Sequence, residues 1–162
     1  MNSTADAVSI TTPADRQVRI ERIFDAPRSQ VWRAWTEPEL IAQWWGRGRQ
    51  MTVERMEVKR GGHWRFVVDG KNGRLQGFEG RYREVTPESR FVWTFEWDGM
   101  PGYVAVDTVE LVDLGDGRTK LINTSLFFTD EERDGAMNSG MSEGVIDSYV
   151  ALDRVLQGMK TA

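Results

Sequence analysis

Phe91-Val92-Trp93-Thr94-Phe95-Glu96-Trp97 places an aromatic ring at every second position. Side chains of a β-strand alternate between its faces, so Phe91, Trp93, Phe95 and Trp97 share one side. Val92, Thr94 and Glu96 take the other. Each ring buries roughly 150–250 Å² when covered, so the aromatic face requires a large partner. It carries no nucleophile and no metal ligand. The stretch therefore specifies a wide apolar wall, either the floor of a solid core or the wall of a ligand cavity.

Strand signals continue on both sides of it. Residues 51–58, 63–68, 74–85, 103–112 and 118–127 read as strands separated by glycine-rich or proline-containing turns. Asn72-Gly73 suits a hairpin turn with positive φ, and Gly115-Asp116-Gly117 marks another. Thr86-Pro87-Glu88-Ser89 predicts a type I turn. Short turns between close strands favour an antiparallel meander over βαβ units. Upstream, residues 17–24 alternate as a further strand. Asp25-Ala26-Pro27 then opens a helix bearing Val31, Trp32 and Trp35, with Asp25 as its cap. Thr36 and Glu39 read as the capping box of a second short helix that carries Leu40, Ile41, Trp44 and Trp45, ended by Gly46 and Gly48.

Downstream, Thr129-Asp130-Glu131-Glu132 is a capping box for one long C-terminal helix. Met137, Met141, Val145, Tyr149, Leu152, Val155, Leu156 and Met159 form its apolar stripe. Gly135, Gly140 and Gly144 interrupt its first half. An interior glycine costs a helix roughly 1 kcal/mol against alanine, so the three call for close packing on the sheet or room for a ligand.

Bulk properties narrow the function. A chain of 162 residues reads as one domain, with residues 1–16 a flexible tail and 17–160 the folded unit. The net charge of −4 supplies no electrostatic footprint for nucleic acid or an anionic membrane. No stretch approaches the roughly 20 apolar residues that span a bilayer. With no cysteine and His63 as the single histidine, thiolate chemistry and a histidine zinc site are excluded, and no metal or other cofactor is expected. The first residues lack a signal peptide's basic and apolar regions, which predicts a cytoplasmic protein.

Several motifs occur together in a characteristic order. Residues 18–27 (VRIERIFDAP) are followed by Val31-Trp32, then Trp44-Trp45-Gly46, then Gly61-Gly62-His63-Trp64, then residues 80–85 (GRYREV). The set resembles the activator-of-Hsp90-ATPase homologue family, of the START/Bet v 1-like (SRPBCC) superfamily, from about Gln17 to Leu156. The resemblance implies an α+β helix-grip fold: a curved antiparallel sheet wrapped around a long C-terminal helix, with two short helices after the first strand and a cavity between. It also implies binding of lipids, sterols, polyketides or other apolar molecules, or a cyclase or hydrolase activity. This chain departs from the family pattern twice. Arg47 stands where proline usually follows Trp-Trp-Gly, and Ser125 stands where many members carry histidine, so no role of that histidine is expected. The eukaryotic co-chaperone of the family has an additional N-terminal domain for Hsp90; no room remains for it here, and full Hsp90 activation is not expected.

Alternation selects the residues that would line such a cavity. Trp64 and Phe66 share a face with Val68, and Phe78 and Tyr82 share one with Gln76 and Gly80. Phe91, Trp93 and Phe95 form the wall. In residues 103–112 two faces are open on the pattern alone; the family resemblance turns Tyr103, Ala105, Asp107, Val109 and Leu111 inward. Asn123 and Ser125 share a face with Leu121 and Phe127 on the last strand. Trp44 on the short helix, and Met137, Met141 and Val145 on the long helix, complete the expected ligand site. A carboxylate among aromatics has its pKa raised by desolvation, which makes Asp107 the candidate acid/base or ligand handle. The expected function is binding of an apolar, aromatic or lipid-like molecule. The alternatives are a cyclase/hydrolase-type enzyme using Asp107 with Asn123 and Ser125, and a chaperone-associated stress-response module; an exposed apolar patch would mark a homodimer face.

Overall fold

The computed structural model describes residues 8–161. Strands β1 (Ser9–Thr11) and β2 (Gln17–Phe24) precede helices α1 (Arg28–Thr36) and α2 (Pro38–Ile41). Then follow β3 (Met51–Met56), β4 (His63–Asp69), β5 (Leu75–Thr86), β6 (Arg90–Trp97), β7 (Val104–Asp113) and β8 (Thr119–Leu126). Helices α3 (Asp130–Met137) and α4 (Met141–Thr161) end the chain. Among the described residues the strands form one eight-stranded antiparallel sheet in the order β1-β2-β8-β7-β6-β5-β4-β3. The sheet curves around α4, which is the helix-grip arrangement. No helix among the described residues is long and apolar enough to cross a membrane.

Period-two patterning fixes which face each strand buries. On β2 the inward set is Val18, Ile20, Arg22 and Phe24; on β4 it is Trp64, Phe66 and Val68. A register shift between Tyr82 and Glu84 inserts an extra residue in β5. This bulge moves the inward phase by one, so Tyr82 and Val85 both join the core. On α1 the spacing of Val31, Ala34 and Trp35 buries one stripe, and on α4 Tyr149, Leu152 and Leu156 do the same.

Several local expectations are corrected. Residues 9–11, read as part of the tail, pair with β2 as β1; residues 1–7 lie outside the described residues. The first strand after the helices ends at Met56, not at residue 58. Asp25 does not cap α1; Pro27 occupies the N-cap position, and Asp25 instead pairs with Lys160 at 3.1 Å. The Thr36/Glu39 box does not form, because the Thr36 hydroxyl donates back to the Trp32 carbonyl at 2.7 Å. The second helix stops at Ile41, and Trp44 and Trp45 lie in the turns beyond it. The turn at Thr86–Ser89 is not type I: Glu88 has φ 68°, and positive φ after proline is the type II geometry. Thr129 does cap α3, its hydroxyl accepting from the Glu132 N–H at 3.1 Å.

The expected single C-terminal helix is two helices. Gly140 adopts φ 84°, a left-handed conformation that ends a helical path and that L side chains resist. Gly144 has a different reason. A Cβ there would lie 3.1 Å from Arg47 Nε, so the missing side chain lets the arginine lie across the helix. Nothing in the structure explains Gly135.

Candidate functional site

The aromatic strand forms the floor of the grip. Phe91 and Trp93 are fully covered, and Trp93 stacks on Trp64 with centroids 4.1 Å apart and planes 21° from parallel. Tyr82, Phe66 and Trp35 surround the pair with tilted or edge contacts at 5.7–6.2 Å. Trp44 is buried against Trp35 at 4.7 Å, and its indole N–H donates to the Ala34 carbonyl. Trp44, Trp64, Phe66, Tyr82, Phe91, Trp93 and Val109 are thus packed core beneath the expected site. The fourth ring of the stretch is corrected: Trp97 is 37% exposed at the strand end, its N–H donating to Gln76. Tyr103, placed inward with Asp107, is likewise exposed.

Burial falls off along the grip in one direction. On β6 it passes from buried Phe91 and Trp93 to half-buried Phe95. On β8 it passes from buried Leu121 to half-buried Asn123, Ser125 and Phe127. On α4 it passes from buried Leu156, Leu152 and Tyr149 back to half-buried Val145 and Met141. Phe78 and Met137 are half-buried at the same end. The grip is therefore packed most fully toward the C-terminal half of α4 and less fully covered toward the α3–α4 junction. Of the expected ligand residues, Phe78, Phe95, Asn123, Ser125, Met137, Met141 and Val145 are half-buried, Asn123 standing opposite buried Val109.

Trp45 belongs with them. Its half-buried ring lies 5.2 Å from both Phe66 and Phe78, and 6.3 Å from Phe95. The sequence signal for it was present in the Trp44-Trp45 pair: two adjacent indoles on a turn point in different directions, one inward and one to the rim.

A polar patch lies within this apolar frame. Asp107 on β7 is opposite Ser125 on β8, and its carboxylate accepts from Trp93 Nε1 at 3.1 Å. Burial pushes the Asp107 carboxyl above the ordinary carboxylate range, while hydrogen bonding to Ser125 and Trp93 pulls the other way. Asn123 lies one inward position along β8, and its Oδ1 is buried with no hydrogen-bond partner. Tyr149 of α4 faces the same patch. Burial raises its phenol well above the ordinary value, Asn123 opposing through a hydrogen bond, so it stays neutral at pH 7. Helical spacing gives Tyr149 only a place in the apolar stripe, because a polar and an apolar role are indistinguishable from spacing.

The Asp107 shift has a stability consequence. A carboxyl whose folded-state pKa exceeds its unfolded value binds more protons when folded, so stability falls as pH rises through that interval. The penalty is complete above the folded pKa and absent below the unfolded one. Asp107→Asn keeps an oxygen for the Trp93 N–H and removes the ionisation. It is expected to raise stability at pH 7 in urea titrations, with the gain vanishing as pH falls below the ordinary aspartate range. An equal gain at both pH values would show that ionisation of Asp107 is not the cause.

Two arginines hold α4 at its two halves. Arg22, inward on β2, donates to the Tyr149 carbonyl at 2.9 Å and lies 3.5 Å from Asp153. Arg47, at φ 67°, donates its backbone N–H to Ser148 Oγ at 2.8 Å and a guanidinium N–H to the Gly140 carbonyl at 3.3 Å. Alternation along β2 groups Arg22 with Val18 and Ile20 without showing which face is buried; the reach of Arg47 has no sequence signal. A separate concavity of about 820 Å³ lies between α4 and α1–α2, lined by residues including Leu40, Arg47, Val150 and Arg154. It contains none of the expected ligand residues. Among the described residues no group of three His, Cys, Asp or Glu side chains could hold a metal ion.

A family model described as activator of Hsp90 ATPase homolog 1-like protein matches residues 25–157, most of the chain. The chain belongs to this family. Its neighbours among solved structures are SRPBCC/Bet v 1-like proteins. A Rhodobacter sphaeroides protein is 29% identical with a TM-score of 0.85, the match covering 94% of this chain and 99% of that one. An Arthrobacter aurescens protein, 23% identical, also has a TM-score of 0.85 over 96% and 93% of the two chains, which is a likeness of fold alone. DynU16, described as a putative protein in the dynemicin biosynthetic locus, is 25% identical with a TM-score of 0.67. That match covers 89% of this chain and 48% of DynU16. No curated protein matches the sequence. Membership in the activator of Hsp90 ATPase homolog 1-like family agrees with the fold expectation drawn from the motifs at residues 24–27 and 44–46, and the family's fold is one that binds ligands.

Proposed function

We propose that this protein binds a small apolar molecule, aromatic or lipid-like, at the open end of the grip between β5–β8 and the first half of α4. The supporting observation is the one-way loss of burial along β6, β8 and α4. Inward-facing Phe78, Phe95, Met141 and Val145 remain partly accessible there, whereas a solid core would cover them. Methionine at two positions of the rim supplies a surface that adapts its shape to a partner.

A ligand that binds only the folded state raises its stability by RT ln(1 + [L]/Kd), about 2.7 kcal/mol at a hundredfold excess over Kd. A panel of neutral aromatic compounds is expected to include members that raise the melting temperature saturably. Val145→Trp fills the opening from the helix side and should abolish that rise while leaving the circular dichroism of the free protein unchanged. No rise with any compound, or the same rise in Val145→Trp, would reject the site.

The raised pKa of Asp107 beside Ser125 favours a second reading, in which the carboxyl acts as an acid or base on the bound molecule. Any turnover found should then disappear in Asp107→Asn with binding retained; turnover surviving that substitution would remove Asp107 from the chemistry.

A further inference from the structure

The outer side of α4 carries apolar surface that the sheet does not cover. Val150, Ala151, Val155 and Met159 recur there at helical spacing, and Leu40 of α2 lines the same concavity of about 820 Å³. Val150 and, one turn before it, Ile146 are each 43% exposed. A Cβ at Gly158 would meet nothing within 4 Å, so close packing does not account for a helical glycine there, and its missing side chain widens the groove. Contiguous apolar surface rimmed by polar groups marks an interaction site. The rim is cationic, on a chain whose net charge is −4. Arg33, Arg47 and Arg154 line the groove against the one lining carboxylate of Asp147. Arg33 is held by Glu37 at 2.7 Å, and Arg47 lies 3.7 Å from Asp147. The exposed Arg154 side chain makes no hydrogen bond or ion pair with a described residue. The lining on α4 runs from Asp147 to Met159, about 18 Å along the helix. The cations stand on both walls and at separate points along this length, which suits several carboxylates rather than one.

We propose that the groove between α4 and α1–α2 is a docking surface for an acidic amphipathic helix of a partner protein. The apolar face of that helix lies on Leu40, Val150 and Val155. Carboxylates on its flanks meet Arg154 and the N–H groups of Arg33 and Arg47 that Glu37 and the Gly140 carbonyl leave unengaged. A groove between helices accepts the apolar side of a further helix, and the lined stretch of α4 matches about three turns of one. A basic helix is repelled by the same arginines, and a neutral one forgoes the ion pairs. The surface lies outside the grip and does not depend on the ligand-binding reading above.

Fluorescence anisotropy with the full chain tests this. The probe is a labelled peptide of about 14 residues, with leucine at i, i+4, i+7 and i+11 and glutamate on the flanking positions. It is expected to bind with a Kd on the order of 10 μM, weakening as salt rises. The same peptide with glutamine for glutamate should bind about tenfold more weakly, and with lysine not at all. Arg154→Glu, at an exposed position with no partner to lose, should weaken the acidic peptide about tenfold. Val145→Trp, which fills the grip, should leave its binding unchanged. Failure of the acidic peptide to bind overturns the proposal, as does equal binding of the glutamine peptide. Binding lost in Val145→Trp and kept in Arg154→Glu would place the peptide in the grip and overturn it too. Displacement of the peptide by equimolar dodecanoate would make a single-headed amphiphile the occupant. Self-association abolished by Arg154→Glu would make it a second copy of this chain. Either result overturns the partner helix.

Discussion

Trp93→Ala is expected to remove about 3–5 kcal/mol of folding free energy, which for a domain of this size lowers the melting temperature by roughly 10 °C. The magnitude follows from where the ring sits. Trp93 is almost wholly covered, stacks on Trp64 at 4.1 Å, and has Phe91 at 5.0 Å and Tyr82 at 5.7 Å. Truncation leaves a hole whose lining is five rigid rings held by other contacts, so the site cannot collapse to fill it. It also removes the N–H that donates to Asp107, leaving a buried carboxyl with one donor fewer. Trp93→Phe separates these effects in part, because it keeps an aromatic ring while deleting the indole N–H and a smaller volume than Trp93→Ala does. It should lose less stability than Trp93→Ala and raise the Asp107 pKa further. Equilibrium urea unfolding measures both. A loss below about 1 kcal/mol for Trp93→Ala would mean that the wall is loosely packed and solvent-filled.

Gly80→Ala is expected to cost about 2–3 kcal/mol, the range for forcing extra volume into a packed interior. A Cβ at Gly80 would overlap the Thr94 carbonyl on β6 and lie 2.8 Å from Trp64 Nε1. That carbonyl accepts the Trp64 indole N–H at 3.1 Å, so the substitution strikes the contact that orients the Trp64–Trp93 stack. Backbone is the obstacle, and no side-chain rotation relieves it. Gly135→Ala is the control with the opposite sign. A Cβ there meets nothing within 4 Å, and replacing a helical glycine by alanine should stabilise α3 by up to about 1 kcal/mol. Thermal unfolding of the two variants side by side checks the contrast. Wild-type stability in Gly80→Ala would show that β5 and β6 separate there without loss.

Much of the fold was legible in the residues. Strands β2, β4 and β6 follow from alternation, because a half-buried strand must repeat its apolar side every second residue. The Thr129 cap of α3 and the inward set of β4 were correctly read for the same kind of reason: each depends on a few neighbours in sequence. The errors share a different cause. Thr36 and Glu39 have a capping-box spacing, yet the Thr36 hydroxyl bonds its own helix, a competition between two local partners that the pattern does not rank. The C-terminal stripe runs past Gly140 at helical spacing, yet the backbone breaks there, Gly140 taking φ 84° and its carbonyl accepting from Arg47.

The sequence by itself determined the sheet, the inward face of β4 and the aromatic floor at Phe91 and Trp93, since these rest on periodicity and on the chemistry of single side chains. It also placed Asp107, Asn123 and Ser125 together, once the family resemblance had chosen between the two faces of β7. The tertiary structure alone decided which wall residues are sealed and which remain accessible. Phe91 and Phe95 are equivalent in the pattern, but Trp32, Trp35 and Tyr82 cover the first, while the second is half-buried beside Trp45, Trp64 and Phe78. Accessibility is set by what packs across from a residue, and those partners are tens of positions away in the chain.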